Sequence, residues 1–111
     1  MDVPTASVQG VPDPLPQGLL VLDVREDDEF AAGHVEGSLH IPLLQLADRS
    51  ADLPPAEQTL VVCRTGSRSA YATAYLRQQG VEAVNLDGGL VAWAAAGRPL
   101  VADEDGPAQL V

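Results

Sequence analysis

The side chain best suited to nucleophilic chemistry in this sequence is that of Cys63, its only cysteine. It closes the apolar run at residues 59–63 (TLVVC), and Arg64, Gly66 and Arg68 follow it closely. Backbone N–H groups of a glycine-containing turn, a helix start and nearby guanidinium groups all favour a thiolate, so cysteine pKa values fall to about 3.5–7.5 in such surroundings. The pattern therefore predicts a nucleophile rather than the buried structural thiol that a lone cysteine usually is.

The strands that must position this thiol are predicted from short apolar runs rich in β-branched residues. The main runs lie at residues 19–24, 59–63 and 83–86, with shorter candidates at residues 5–8 and 39–41. Near-continuous apolar runs are typical of parallel strands that are covered on both faces. Cys63 then lies at the carboxyl end of a buried strand, the edge where open α/β sheets bind ligands.

Helical segments alternate with these strands. Helices are predicted from Asp27 or Asp28 (the expected cap) to Ala32, after Pro42, and at residues 68–79 and 90–96. Strands that alternate with helices indicate a parallel sheet with helices on its faces, which is an α/β fold.

Composition limits the partners and the location. The chain has 111 residues, which suits one domain and is too short for two ordinary ones. A net charge of −10 argues against binding to nucleic acid or to anionic membranes. A single cysteine excludes an intramolecular disulfide. The amino-terminal residues lack the positive charge and the apolar run of a secretory signal, so we expect a cytoplasmic protein.

Three segments differ in composition. Residues 1–18 contain four prolines and are expected to be irregular, with one short edge strand. Residues 19–100 carry the predicted alternation of strands and helices. Residues 101–111 form an acidic, weakly patterned carboxyl-terminal tail.

Three stretches resemble the rhodanese homology domain. CRTGSR at residues 63–68 is similar to the active-site loop of that family. Residues 19–43 (LLVLDVREDDEFAAGHVEGSLHIPL) resemble its first signature, and residues 86–93 (LDGGLVAW) resemble its closing signature. The resemblance covers about residues 19–100. It implies a five-stranded parallel sheet flanked by helices on both faces, and transfer of sulfane sulfur from thiosulfate or a related donor to a thiol or cyanide acceptor.

The resemblance also assigns residues to the site. The nucleophile of the family falls on Cys63, which would carry the sulfur as a persulfide. The substrate-binding loop of the family falls on Arg64, Thr65, Gly66, Ser67 and Arg68.

Asp23 and Arg25 end the first main strand, where they could face this loop. We expect them to support it as a brace, or in an ion pair with a carboxylate such as Glu29, rather than to touch substrate.

His34 and His40 are expected to be hydrogen-bonded turn residues, and Trp93 a core residue. One cysteine and two histidines are too few soft ligands for a zinc site, and no glycine-rich nucleotide motif is present. No metal and no cofactor are therefore expected.

Two other functions were weighed against sulfur transfer to small molecules. A cysteine phosphatase loop resembles His-Cys-x5-Arg, whereas four residues separate Cys63 from Arg68 here and Val62 replaces the histidine. The second alternative is a sulfur-relay or regulatory module that exchanges sulfur only with a protein partner. The sequence leaves this second alternative open.

Overall fold

The computed structural model describes residues 2–111, and its centre is a five-stranded sheet. Every strand pairs parallel to its neighbours, in the order β1-β5-β4-β2-β3. The strands are Thr5–Ala6 (β1), Leu19–Asp23 (β2), Leu39–His40 (β3), Gln58–Val62 (β4) and Ala83–Leu86 (β5). The predicted α/β class and the five-stranded parallel sheet are confirmed.

Three α-helices lie in the connections between strands and a fourth follows the last strand, and single 3-10 turns complete the connections. The helices are Asp27–Ala32 (α1), Leu46–Arg49 (α2), Ser67–Gln78 (α3) and Gly89–Ala95 (α4), and the 3-10 turns are Val8–Gly10, Leu43–Gln45 and Ser50–Asp52. The predicted cap of α1 was wrong, because Glu26 and not Asp27 or Asp28 holds the extended cap conformation. Both aspartates lie inside the first turn, where a carboxylate is stabilised by the helix dipole.

The core lies on both faces of the sheet, and the alternation of side chains along the strands divides it. On one face Leu22 and Val61 pack with Leu46 of α2 and with Leu76 of α3. On the other face the core contains Leu90 and Trp93 of α4, which pack with Val21, Leu60, Val62 and Leu86. Helices therefore cover both faces, as predicted, and Cys63 belongs to the α2–α3 side.

The central strand β4 pairs with β2 on one side and with β5 on the other. The chain runs outward from β2 to β3 in one direction and from β4 to β5 in the opposite direction, where β5 lies beside the edge strand β1. Such a reversal of strand order opens a crevice at the carboxyl edge of the sheet. Cys63 follows the last residue of β4 and therefore lies at this crevice.

Both terminal segments are attached to the sheet or to its loops. At the amino terminus β1 forms the predicted edge strand and pairs with β5. In the tail, Val101 forms an antiparallel bridge with His34, and the Gln109 amide donates to the Ala32 carbonyl. The last residues of the chain thus cover the carboxyl end of α1.

Candidate active site

Cys63 lies at the centre of a group of hydrogen-bond donors. Its side chain has no exposed surface, although it stands at the carboxyl edge of the sheet. The Gly66 amide donates to Sγ at 3.0 Å, and the Ser69 hydroxyl lies 3.3 Å from Sγ. A sulfur atom surrounded by N–H and O–H groups is stabilised as an anion.

Two opposing effects act on the pKa of Cys63. Burial is the largest, and it raises the pKa because a charged sulfur loses its hydration. Hydrogen bonds from the Ser69 hydroxyl and from the amides of Ser69, Gly66 and Thr65 lower the pKa, and together they outweigh burial. The net result is a pKa below the ordinary value of a cysteine thiol, as expected of a nucleophile.

Two glycines allow the loop after Cys63 to adopt its shape. Gly66 precedes α3 with a φ of 104°, which lies in the left-handed region that favours glycine. Gly89 lies so close to the loop that a Cβ at this position would approach the Arg64 carbonyl oxygen to 2.5 Å. The amides that follow, of Leu90 and Val91, donate to the carbonyls of Cys63 and Arg64 at 2.9 and 3.0 Å. The start of α4 therefore fixes the backbone of the loop.

The two loop arginines have different environments. Arg64 is exposed, and within residues 2–111 its side chain forms no ion pair. Arg68 forms a two-pronged pair with Glu29, with Nη1–Oε1 and Nη2–Oε2 distances of 2.6 and 2.9 Å. The hydrogen bond from Arg68 is the main cause that lowers the pKa of Glu29 to about 2, and Glu29 in turn raises the pKa of Arg68.

Asp23 and Arg25 form a fully buried pair with each other. Arg25 Nε and Nη2 donate to the Asp23 carboxylate at 2.9 and 2.8 Å, and Nη2 also donates to the Gly33 carbonyl at 2.7 Å. A brace was predicted, but the expected partner of Arg25 was wrong, because Glu29 pairs with Arg68 instead. Asp23 is only two residues from Arg25 and accepts hydrogen bonds from its Nε and Nη2. Among the described residues, Nη1 of Arg25 has no hydrogen-bond partner.

The histidines are hydrogen-bonded and the tryptophan is a core residue, as expected, but the expected turn positions were wrong, because His40 belongs to β3 and His34 forms a β-bridge with Val101. A ring nitrogen of His34 lies 2.7 Å from the Phe30 carbonyl, and one of His40 lies 2.7 Å from the Arg25 carbonyl. Trp93 is 3% exposed and belongs to the core. Within residues 2–111, no cluster of His, Cys, Asp and Glu has the arrangement of a metal site. No helix in this range is long and apolar enough to cross a bilayer.

Two site residues, Ser69 and Asn85, were not predicted. Ser69 belongs to the first turn of α3, and Asn85 lies in β5, where it is 7% exposed. The Ser69 hydroxyl lies 2.5 Å from Asn85 Oδ1, and Asn85 Nδ2 donates to the Gly66 carbonyl at 3.1 Å. A signal was available for Asn85, because a polar residue inside the apolar run AVNL must find hydrogen-bond partners when it is buried.

Comparisons with known proteins show the family and the fold to which this chain is similar. A sequence model of the family described as "Rhodanese-like domain" matches residues 8–96. A sulfurtransferase of Allochromatium vinosum is 39% identical over 89 residues, which cover 79% of this chain and 83% of that protein. Thiosulfate sulfurtransferase GlpE of Pseudomonas putida is 44% identical over 82 residues, which cover 71% of this chain and 73% of that protein. The crystal structure of a rhodanese-related protein from Thermoplasma volcanium matches with a TM-score of 0.83 and 30% identity, over 92% of this chain and 100% of that chain.

Proposed function

Because this chain belongs to the rhodanese-like domain family, we propose that it is a thiosulfate sulfurtransferase that carries sulfur as a persulfide on Cys63. Relatives that are named sulfurtransferases, among them a thiosulfate sulfurtransferase, support sulfur transfer as the reaction. A free thiol also suits the reducing cytoplasm, the compartment that we propose for the protein.

The observation that carries the proposal is the ring of donors around Cys63 Sγ. The Gly66 amide and the Ser69 hydroxyl lie within 3.3 Å of the sulfur, at the carboxyl end of the central strand. Donors fixed around a developing anion stabilise it without reorganisation, as an oxyanion hole does for oxygen. Here the same arrangement would stabilise sulfur, first as the attacking thiolate and later as the leaving thiolate.

The reaction follows two balanced steps. In the first step the Cys63 thiolate attacks the outer sulfur of thiosulfate, an S–S bond forms, and the bond to the sulfonate sulfur breaks. Sulfite leaves with the electron pair, and the enzyme retains a persulfide anion. In the second step an acceptor thiolate or cyanide attacks the outer sulfur, and Cys63 leaves as a thiolate. The products are an acceptor persulfide or thiocyanate, and no external oxidant or reductant is consumed.

The loop residues have different roles in this proposal. Arg64 is exposed and unpaired within the described chain, so its charge is available to the sulfonate group of the donor. Arg68 is engaged by Glu29 and would contribute at longer range unless that pair opens. Thr65, Gly66 and Ser67 would present the loop backbone to the donor, whereas the buried Asp23–Arg25 pair supports the end of β2.

Intact-mass analysis tests the proposal directly. After treatment with thiosulfate, the protein should gain the mass of one sulfur atom, and a reductant should remove it. Cys63→Ser should gain no mass and should form no thiocyanate from thiosulfate and cyanide, while it keeps the fold by circular dichroism. Thiocyanate formation by folded Cys63→Ser would contradict the proposal.

A protein acceptor is a second candidate, and exposed apolar side chains favour it. Leu44 is 90% exposed, Tyr71 63% and Val91 40%. They lie just after β3, near the start of α3 and at the start of α4, and these elements follow strands whose carboxyl ends form the edge with Cys63. Apolar side chains around a reactive thiol suit contact with another protein. Discharge of the persulfide only by a protein, and by no small thiol, would favour this relay.

A further inference from the structure

We propose that Ser69 and Asn85 are positioning residues for Cys63. The Ser69 hydroxyl keeps its proton but rotates, so that it donates to Asn85 Oδ1 or to Cys63 Sγ according to the charge of the sulfur. Asn85 is not part of the loop motif at residues 63–68, because it lies in β5. The role of the two residues in catalysis rests on the proposed sulfur transfer. Their effect on the ionisation of the Cys63 thiol does not.

The geometry presents one donor with two acceptors. Ser69 Oγ lies 2.5 Å from Asn85 Oδ1 and 3.3 Å from Cys63 Sγ. Ser69 and Cys63 have no exposed surface, and Asn85 is 7% exposed, so water does not compete freely for these groups. A serine hydroxyl has one proton and can satisfy only one of the two acceptors at a time.

The orientation of Asn85 is set by its other contacts. Its Nδ2 donates to the Gly66 carbonyl at 3.1 Å, so Oδ1 must be the atom that faces Ser69. A reversed amide would bring two oxygens together at the Gly66 carbonyl, which can only accept. The backbone is fixed as well, because the Asn85 amide donates to the Pro4 carbonyl at 2.8 Å.

The network is complete when Cys63 is a thiol. The S–H group then donates to Ser69 Oγ, and the Ser69 hydroxyl donates to Asn85 Oδ1. When Cys63 is a thiolate, the Ser69 proton turns to Sγ, and the buried Oδ1 loses its donor. A buried acceptor without a donor is destabilised, so Asn85 opposes ionisation of Cys63 while Ser69 favours it.

This competition matches the two charge states of the proposed reaction. The sulfur needs its donor when it attacks as a thiolate and again when it leaves as one. In the persulfide the inner sulfur carries no full charge, and the proton of Ser69 returns to Asn85. Ser69 therefore stabilises Sγ in both steps, and Asn85 prevents the thiolate from becoming too stable to react.

The two residues have effects of opposite sign, which makes the proposal testable. Removing the Ser69 hydroxyl (Ser69→Ala) should raise the pKa of Cys63 by about one, since one hydrogen bond to the anion is lost. Removing the competing acceptor (Asn85→Leu, with Asn85→Ala as a second variant) should lower that pKa by up to about one. The measurement is the pH dependence of thiolate absorbance in the ultraviolet, with Cys63→Ser as the blank.

Thr73→Val is the matched control. Thr73 lies one turn further along α3, is fully buried, and donates to the Ser69 carbonyl at 2.7 Å, and among the described residues it forms no hydrogen bond with Cys63 Sγ. Its replacement should leave the pKa of Cys63 unchanged, and circular dichroism shows whether each variant is folded. No sulfur donor is used, so the result does not depend on whether thiosulfate is the substrate.

Two outcomes would overturn the proposal. If folded Ser69→Ala leaves the pKa unchanged, the Ser69 hydroxyl does not stabilise the thiolate. If both Asn85 variants raise the pKa, Asn85 acts only by holding the Gly66 carbonyl and does not compete for the proton. A lower pKa of Cys63 in both Asn85 variants, together with a higher pKa in Ser69→Ala, would support the proposal.

Discussion

Replacing Glu29 with glutamine should destabilise the protein by an amount that depends on pH. The Glu29 carboxylate accepts two hydrogen bonds from Arg68, and these join α1 to the first turn of α3. Glutamine keeps the shape of the side chain but loses the negative charge. The variant therefore tests the charge of this pair rather than its packing.

The structure gives the size and the sign of the effect. A carboxyl pKa of about 2 in the folded protein against about 4.5 in the unfolded chain corresponds to about 3 kcal/mol at pH 7. The side chains of Arg68 and Glu29 are 35% and 15% exposed, and solvent screening reduces this to about 1–2 kcal/mol. Because folding lowers the pKa, the contribution is fully present above the unfolded pKa and is lost as the pH falls toward the folded value.

Urea unfolding followed by circular dichroism measures the effect. Wild type and Glu29→Gln should differ by about 1–2 kcal/mol in the free energy of unfolding at pH 7, and by clearly less near pH 3.5. Glu36→Gln is the control, because Glu36 is exposed and forms no ion pair in the described residues. This substitution should change the free energy of unfolding little at either pH. A penalty for Glu29→Gln that is equal at both pH values would refute the electrostatic reasoning.

Three further predictions concern the site. Arg64→Ala should raise the KM for thiosulfate several-fold more than Arg68→Ala does, because of these two arginines only Arg64 is unpaired within residues 2–111. Equal increases of KM in steady-state kinetics would contradict this. Aryl phosphates should not be hydrolysed, because only four residues separate Cys63 from Arg68 and Arg68 is paired with Glu29. Cys63-dependent release of the aryl alcohol would contradict this prediction. Added salt should speed up the loss of the persulfide to glutathione, followed by mass, because it screens the repulsion between this anionic thiol and a chain with a net charge of −10. Loss to a neutral thiol should hardly change, and matching salt responses would exclude the electrostatic effect.

Local patterns made the sheet and the position of Cys63 at its carboxyl edge predictable. The runs that became β2, β4 and β5 are almost wholly apolar, and their burial on both faces follows directly. Cys63 could be placed because it ends one of these runs and precedes a glycine turn. The choice between neighbouring residues at a helix start was less certain, since Glu26 and two aspartates offer similar side chains.

Pairings across the chain were not predictable in the same way. Glu29 and Arg68 are 39 positions apart, and a single sequence contains no signal that joins them. The sequence predicts an ion pair with a carboxylate such as Glu29, but Arg25 pairs with Asp23, two positions away on the same strand end. Glu29 is thereby left for Arg68. The error was in the choice of partner and not in the expectation that the buried charges are paired.

The position of Asn85 shows why the amino-terminal segment matters to the site. That segment was expected to be irregular with one short edge strand, and the Pro4 carbonyl, next to β1, accepts a hydrogen bond from the Asn85 amide. Asn85 in turn donates through Nδ2 to the Gly66 carbonyl, and the Gly66 amide donates to Cys63 Sγ. The Pro4 carbonyl beside this short strand thus lies three hydrogen bonds from the sulfur. Since each bond in this series fixes the group that makes the next, the edge of the sheet helps to hold the donors around Cys63 in place.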